Sequence, residues 1–232
     1  MNVYGSFIGK NYKLEKISLE KDKKTNLYIR PGTIDSNMIK DCLIHYKNIT
    51  FKDKIILDLG ANIGGFTYMA LKNECKQIIA VEPDKYNFEL LSLNNKNDKA
   101  ILLEGAITIE NIDEITFYFN QSKRNMCSGG IQKTSNRKGS YNTKAYNFFK
   151  ILEKYKPSII KIDIEGYEYE LLKNGLPDYI EECAIEFHFS SKEQKILYEK
   201  TIKLFDNWKI INKTENKMFN TISGVDLHVK RN

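Results

Sequence analysis

Short, nearly continuous apolar runs recur along this chain, at Ile55 to Leu59, Ile78 to Glu82, Ile101 to Glu104, Ser158 to Asp163 and Cys183 to Phe189. The continuous apolar character of the first, second and fourth runs predicts strands covered on both faces, as in a parallel sheet. Helical spacing fills the gaps between them. Met38, Ile39, Cys42, Leu43 and Tyr46 predict a helix capped by Asp35 or Ser36. Further helices are predicted at Gly65 to Lys72, after a cap at Asp84 (burying Phe88, Leu90 and Leu91), and at Tyr146 to Tyr155, Tyr167 to Lys173 and Lys192 to Phe205. Weak alternation before about Asp22 predicts a small N-terminal hairpin. Ile115 to Phe119 reads as an added strand, and Trp208 to Ile211 with Val225 to Val229 as a terminal antiparallel pair. Such an α/β sheet binds ligands beyond the C-terminal ends of its strands, where the strand order reverses.

The chemistry of the first turn narrows the ligand. The first strand runs into Asp58-Leu-Gly60-Ala-Asn62-Ile-Gly64-Gly-Phe-Thr67, and the second ends in Glu82-Pro83. Strand, glycine turn, helix, strand and terminal acid form half of a Rossmann-type unit, in which the acid can grip two ribose hydroxyls. A dinucleotide site needs a small residue where the pyrophosphate docks on the helix N-terminus; Asn62 stands there instead. The D-x-G-x-x-x-G spacing suits a ligand without pyrophosphate and with a cationic amino-acid end, such as S-adenosylmethionine. The bland alternative is that Gly60 and Gly64 serve only a tight turn.

These residues resemble motif I of class I S-adenosylmethionine-dependent methyltransferases. Tyr28-Ile-Arg30-Pro-Gly-Thr-Ile-Asp35, Glu104-Gly-Ala-Ile107, Ile160-Lys161-Ile-Asp163-Ile-Glu165-Gly166-Tyr-Glu168 and Ala184-Ile-Glu186-Phe-His188 extend the match. Together they resemble the FkbM family, from about Tyr28 to His188. The resemblance implies a Rossmann-like class I fold: a mostly parallel seven-stranded sheet with a C-terminal antiparallel strand and a small N-terminal extension. It implies cofactor contacts from Thr33, Asp35, Asp58, Gly60, Asn62, Gly64, Thr67, Glu82, Pro83, Ala106 and Asp163, with Thr33 and Asp35 toward the methionyl end and Ala106 at the adenine pocket. Arg30 and Asp35 could equally be a solvated pair, and Glu104 an ordinary loop residue. The resemblance also implies O-methylation, often of sugars or sugar-containing metabolites.

Asp163, Glu165 and His188 are the candidate catalytic residues. Asp163 and Glu165 end the fourth strand, and either can accept or orient a substrate proton, bind the cofactor amine or hold a divalent metal. Alternation puts Glu186 and His188 on one side of the fifth strand. His188, with an unperturbed pKa near 6.5, is either a proton acceptor or structural. Glu168 and Glu170 are expected to be solvated, and His45 and His228 structural.

Composition fits one soluble domain of 232 residues, with residues 1–34 as the extension and 35–232 as the methyltransferase domain. No apolar run approaches the ~20 residues of a membrane span. The N-terminus lacks the apolar core of a signal peptide. Four scattered cysteines and three histidines argue against structural zinc and for reduced thiols in the cytoplasm; no metal is expected. Ile115 to Leu152 holds no Asp or Glu but carries Lys123, Arg124, Lys133, Arg137, Lys138, Lys144 and Lys150. Its middle, 120–144, reads as a mobile loop hinged at Gly129-Gly130. That loop is either a solvated insertion or a lid whose Lys123, Arg124, Arg137 and Lys138 recruit an anionic acceptor. The reading is a methyltransferase acting on a carbohydrate or related, possibly phosphorylated, metabolite. The alternatives are a nucleic-acid methyltransferase, betrayed by salt-dependent binding, and a cofactor-binding protein without chemistry.

Overall fold

The structure, a computed structural model, describes residues 4–8, 14–120, 129–189, 191–218 and 221–232. Two small antiparallel pairs open the chain: β1 (Tyr4–Ile8) with β2 (Leu14–Ser18), and β3 (Glu20–Lys21) with β4 (Tyr28–Ile29). After α1 (Asp35–His45) come β5 (Ile55–Leu59), α2 (Gly65–Lys72), β6 (Gln77–Glu82), α3 (Lys85–Asn94) and β7 (Ala100–Glu104). β8 (Ala106–Thr108), β9 (Glu114–Phe119) and β10 (Gly139–Asn147) lead to α4 (Phe148–Tyr155). β11 (Ile159–Ile162), α5 (Glu168–Leu172), β12 (Glu182–His188), α6 (Lys192–Thr201), a short 3-10 turn, β13 (Trp208–Met218) and β14 (Thr221–Arg231) complete it.

The central sheet has seven strands in the order β13-β14-β12-β11-β5-β6-β7, parallel except for β14, which runs antiparallel to both neighbours. This is the expected α/β architecture. Alternate residues feed two cores. Ile56, Ile78 and Ile159 pack on one face with Phe66, Met69 and Ala70 of α2. Leu57, Leu59, Ile79, Val81, Ile160 and Ile162 pack on the other with Phe148 and Leu152 of α4 and Leu171 of α5. Double coverage explains why these strands read as continuous apolar runs. The order reverses at β5, between β6 and β11, so the crevice opens where Gly60 meets Asp163.

Three expectations change here. Residues 139–147 are a strand, not part of a loop or of the helix starting at Tyr146. β10 pairs with β8 and β9 in a separate three-stranded sheet, because long-range partners satisfy its backbone despite a polar composition. Gly130 is no hinge: it exchanges two 2.9 Å backbone hydrogen bonds with Tyr118. α1 also lacks the predicted side-chain cap. Asp35 spends both carboxylate oxygens on Arg30, and Ser36 donates to Asp22.

Candidate active site

The β5–α2 turn is built around one close approach. Gly60 adopts φ +76°, and a Cβ there would lie 1.8 Å from the Asp163 carbonyl oxygen. Only glycine lets the ends of β5 and β11 meet this closely. Asn62, also left-handed at φ +51°, donates its backbone N–H to Glu82 Oε2 at 2.7 Å. Glu82 Oε1 accepts the Asp84 N–H at 2.8 Å. Each oxygen keeps a lone pair for a ligand hydroxyl. Burial, reinforced by the charge of Asp84, pushes the Glu82 carboxyl up to about 8.

Gly60, Asn62, Glu82, Pro83, Ala106 and Asp163 line one cleft, which encloses about 1090 Å³ including its open mouth. Ile107 and Phe117 add apolar walls beside Pro83 and Ala106. The other predicted cofactor residues stand back from it. Asp58 and Thr67 are fully buried beneath the turn, joined by a 2.8 Å hydrogen bond from the Thr67 hydroxyl. Gly64 is the left-handed N-cap of α2. Thr33 donates to the Arg30 carbonyl oxygen. Asp35 sits in a buried bidentate pair with Arg30, whose Nη2 also donates to Asn87; neither solvent nor the cleft receives it. Glu104 is exposed.

Lys161 was no candidate in the sequence, yet it sits at the centre. Its side chain is 4 % exposed on a central strand, 3.4 Å from Asp58 Oδ1 and 3.3 Å from Asp163 Oδ2. Its ammonium donates to the carbonyl oxygens of Leu59 and Gly60. Burial would lower its pKa, but Asp163 and Asp58 overcome this and raise it. The available signal was a lysine inside an otherwise apolar parallel strand, a position that demands a partner.

The acceptor end gathers Asp163, Glu165, Glu186 and His188. Alternation along β12 does bring Glu186 Oε1 to 3.6 Å from His188 Nε2. Glu168, expected to be solvated, is fully buried. The first turn of α5 folds back, so its carboxylate accepts the Ile164 and Gly166 N–H groups and meets His188 Nδ1 at 2.9 Å. Burial would lower the His188 pKa, but Glu168 and Glu165 outweigh it and hold the ring well above its usual range. This surrounding favours the imidazolium and weakens the case for His188 as a proton acceptor, one of the two roles the sequence leaves open. Burial lifts Glu165 to about 7 and Glu186 to about 8. His228 is structural as expected, its Nε2 2.7 Å from buried Glu182.

Of the predicted substrate-binding cations, Arg137 and Lys138 lie among the described residues. Lys123 and Arg124 lie outside the described residues. Arg137 is buried, donating to the carbonyl oxygens of Gln132 and Glu165 and lying 3.5 Å from Glu165 Oε2. Lys138 is exposed. Among the described residues, no helix is long and apolar enough to cross a membrane.

No curated protein matches the chain. Trm5b from Pyrococcus abyssi superposes with a TM-score of 0.52 at 11% identity, over 99% of this chain and 63% of that one. P. horikoshii TYW2, solved in complex with MeSAdo, gives 0.51 at 14% identity, over 94% and 74%. At such identities these likenesses show the fold alone. The model of the methyltransferase FkbM domain matches residues 58–213, from Asp58 beneath the turn through the whole acceptor end, and so this chain belongs to the FkbM methyltransferase family.

Proposed function

We propose that the chain transfers a methyl group from S-adenosylmethionine to a hydroxyl of a carbohydrate or sugar-containing metabolite, with residues 35–232 as the catalytic domain and 1–34 as an extension. The observation that carries this reading is one cleft with two unlike ends. At one end a backbone-fixed acid, Glu82, stands beside a slot walled by Pro83, Ala106, Ile107 and Phe117. At the other stand Asp163, Glu165 and Glu186.

The residues present fit the cofactor. Glu82 would accept from the ribose hydroxyls, the apolar slot would take the flat base, and Gly60, Asn62 and Asp163 would border the amino-acid portion. Bound S-adenosylmethionine supplies a methyl group already activated on a sulfonium. The chain's own residues then need only align the acceptor oxygen, exclude water and remove a proton. Glu165 and Glu186, with carboxyls near neutrality, suit proton removal from a hydroxyl. With Arg137 committed to Glu165 and carboxylates around the acceptor end, an uncharged acceptor fits better than an anionic one.

The test combines calorimetric titration with turnover of labelled cofactor against pools of sugars, lipids and nucleic acids. S-adenosylhomocysteine should bind and NAD should not, and label should enter the carbohydrate pool. Binding of NAD alone would sink the cofactor assignment. Label in nucleic acid would replace the acceptor class, and cofactor binding without label in any pool would favour a non-catalytic protein.

A further inference from the structure

The ends of β11 and β12 aim donor atoms at one point. His188 Nε2 lies 3.6 Å from Glu186 Oε1, 3.9 Å from Glu165 Oε1 and 4.0 Å from Asp163 Oδ1. All three distances exceed hydrogen-bond reach. An imidazolium free to choose would draw one carboxylate to about 2.8 Å. These side chains are tethered from outside instead. Lys161 holds Asp163 by Oδ2, Arg137 holds Glu165 by Oε2, and Glu168 holds His188 by Nδ1. Each tether takes one atom and leaves its counterpart facing inward. Asn216 donates to Glu186 Oε1 at 3.4 Å and to Asp226 Oδ1 at 3.2 Å, steadying the fourth member.

We propose that Asp163, Glu186 and His188, with Glu165 beside them, form a binding site for one divalent first-row transition cation, such as Mn²⁺. Ligand atoms of Asp163, Glu186 and His188 fall within 4.8 Å of one another. Donors around an ion at about 2.0–2.2 Å stand roughly 3–4 Å apart, close to the spread seen here. The donor set mixes carboxylate with imidazole, which suits such ions better than Ca²⁺. Glu168 is a positioning residue: its hydrogen bond at Nδ1 fixes the tautomer that presents Nε2 to the ion. The neighbourhood is rich in carboxylates, with Asp163, Glu165, Glu168, Glu186 and Asp226 set against Lys161, Arg137 and His45, which lies 3.8 Å from Asp226. Cation binding does not depend on the methyl-transfer reading. Its use does: at this end of the cleft an ion would polarise an acceptor hydroxyl and lower its pKa.

The experiment titrates chelator-treated, full-length protein with Mn²⁺ alone, by calorimetry and by water proton relaxation. The expected result is saturable binding of one ion per chain. Glu186→Gln and His188→Asn should each weaken it by ~30-fold or more, and Glu168→Gln by roughly 10–100-fold although it does not touch the ion. Glu170→Gln, half-buried on the same helix and paired with Lys173, should bind as the wild type does. Thermal unfolding without metal separates lost ligands from lost folding, and near-isosteric Glu186→Gln keeps the test decisive if His188→Asn unfolds. No saturable binding, or unchanged binding by both ligand variants, would overturn the site. S-adenosylhomocysteine titrated in parallel tells the two ideas apart. Cofactor without Mn²⁺ removes only the cation site, and Mn²⁺ without cofactor removes only the methyl-transfer reading.

Discussion

Lys161 carries a charge where a covered parallel strand ordinarily holds an apolar side chain. Its ammonium is neutralised by Asp58 and Asp163 and fills two carbonyl acceptors at the turn. Removing one member of a buried pair leaves the other charge unpaired, at a cost of about 3–5 kcal/mol. Lys161→Met should therefore lower the melting temperature markedly and weaken S-adenosylhomocysteine binding with it; an unchanged melting curve would take Lys161 out of the site's support. Glu82 makes the opposite kind of prediction. Its carboxyl titrates at about 8 in the folded chain against 4.5 ordinarily, because burial disfavours its charge. Between those values the folded state binds more protons than the unfolded state, so stability must fall as pH rises. Glu82→Gln removes that group. In the cofactor-free protein it should flatten the decline between about pH 5 and 8, while costing about 1–3 kcal/mol of cofactor affinity. Denaturant midpoints across that range and calorimetry check both halves, and an equally steep decline in Glu82→Gln would assign the loss to other groups.

Elements whose cause is local were legible in the sequence. Asp84 was readable as a cap, and its carboxylate accepts the Tyr86 and Asn87 N–H groups at the start of α3. Asp84→Ala should cost ~1 kcal/mol, or roughly 2–4 °C in melting temperature for a chain of this size, and Asp84→Asn should recover most of it in the same thermal scan. β5, β6 and β11 were equally legible, because coverage on both faces imposes an apolar run. What stayed hidden is whatever a distant partner decides. β10 alternates half-buried and exposed residues from Tyr141 to Lys144, but Ser, Asn and Lys masked this until β9 was placed beside it. Glu168 looked like an outward helix residue, yet its burial is set by His188, twenty residues on. Arg137 looked like a free cation because Glu165, its partner, lies on another element. The candidate residues of the turn were found by spacing. Lys161, Glu168 and its hydrogen bond to His188 required the packed structure.

On the scale of the whole molecule, the cleft is a seam between two sheets. The central sheet contributes Gly60, Glu82 and Asp163, and the β8-β10-β9 sheet contributes Ala106 and Phe117. Among the described residues, Ile107 and Tyr146 pack the smaller sheet against the main core, Tyr141 donates to the Pro83 carbonyl oxygen and accepts the Lys85 N–H, Thr108 meets Tyr167, and Arg137, just before β10, reaches Glu165. The sequence left this segment as either a solvated insertion or a charged lid whose grip would fade with salt. A buried Arg137 argues otherwise, since screening over a Debye length of about 8 Å at physiological ionic strength acts mainly on exposed charges. Loosening should instead follow loss of the packed contacts. Tyr141→Phe keeps the ring against Phe117 and Phe119 but removes the tether to Pro83 and Lys85. Amide exchange should then quicken in Glu114–Phe119 and Gly139–Asn147 while Ile55–Leu59 stays protected. Cofactor should dissociate faster, because Phe117 walls its slot, and that rate should respond little to added salt. Lys138→Glu, on the exposed neighbour, should leave both readouts near the wild type. Should Lys138→Glu alter the acceptor KM in a salt-dependent way while Tyr141→Phe changes nothing, surface charge would govern entry to the cleft and the seam would not.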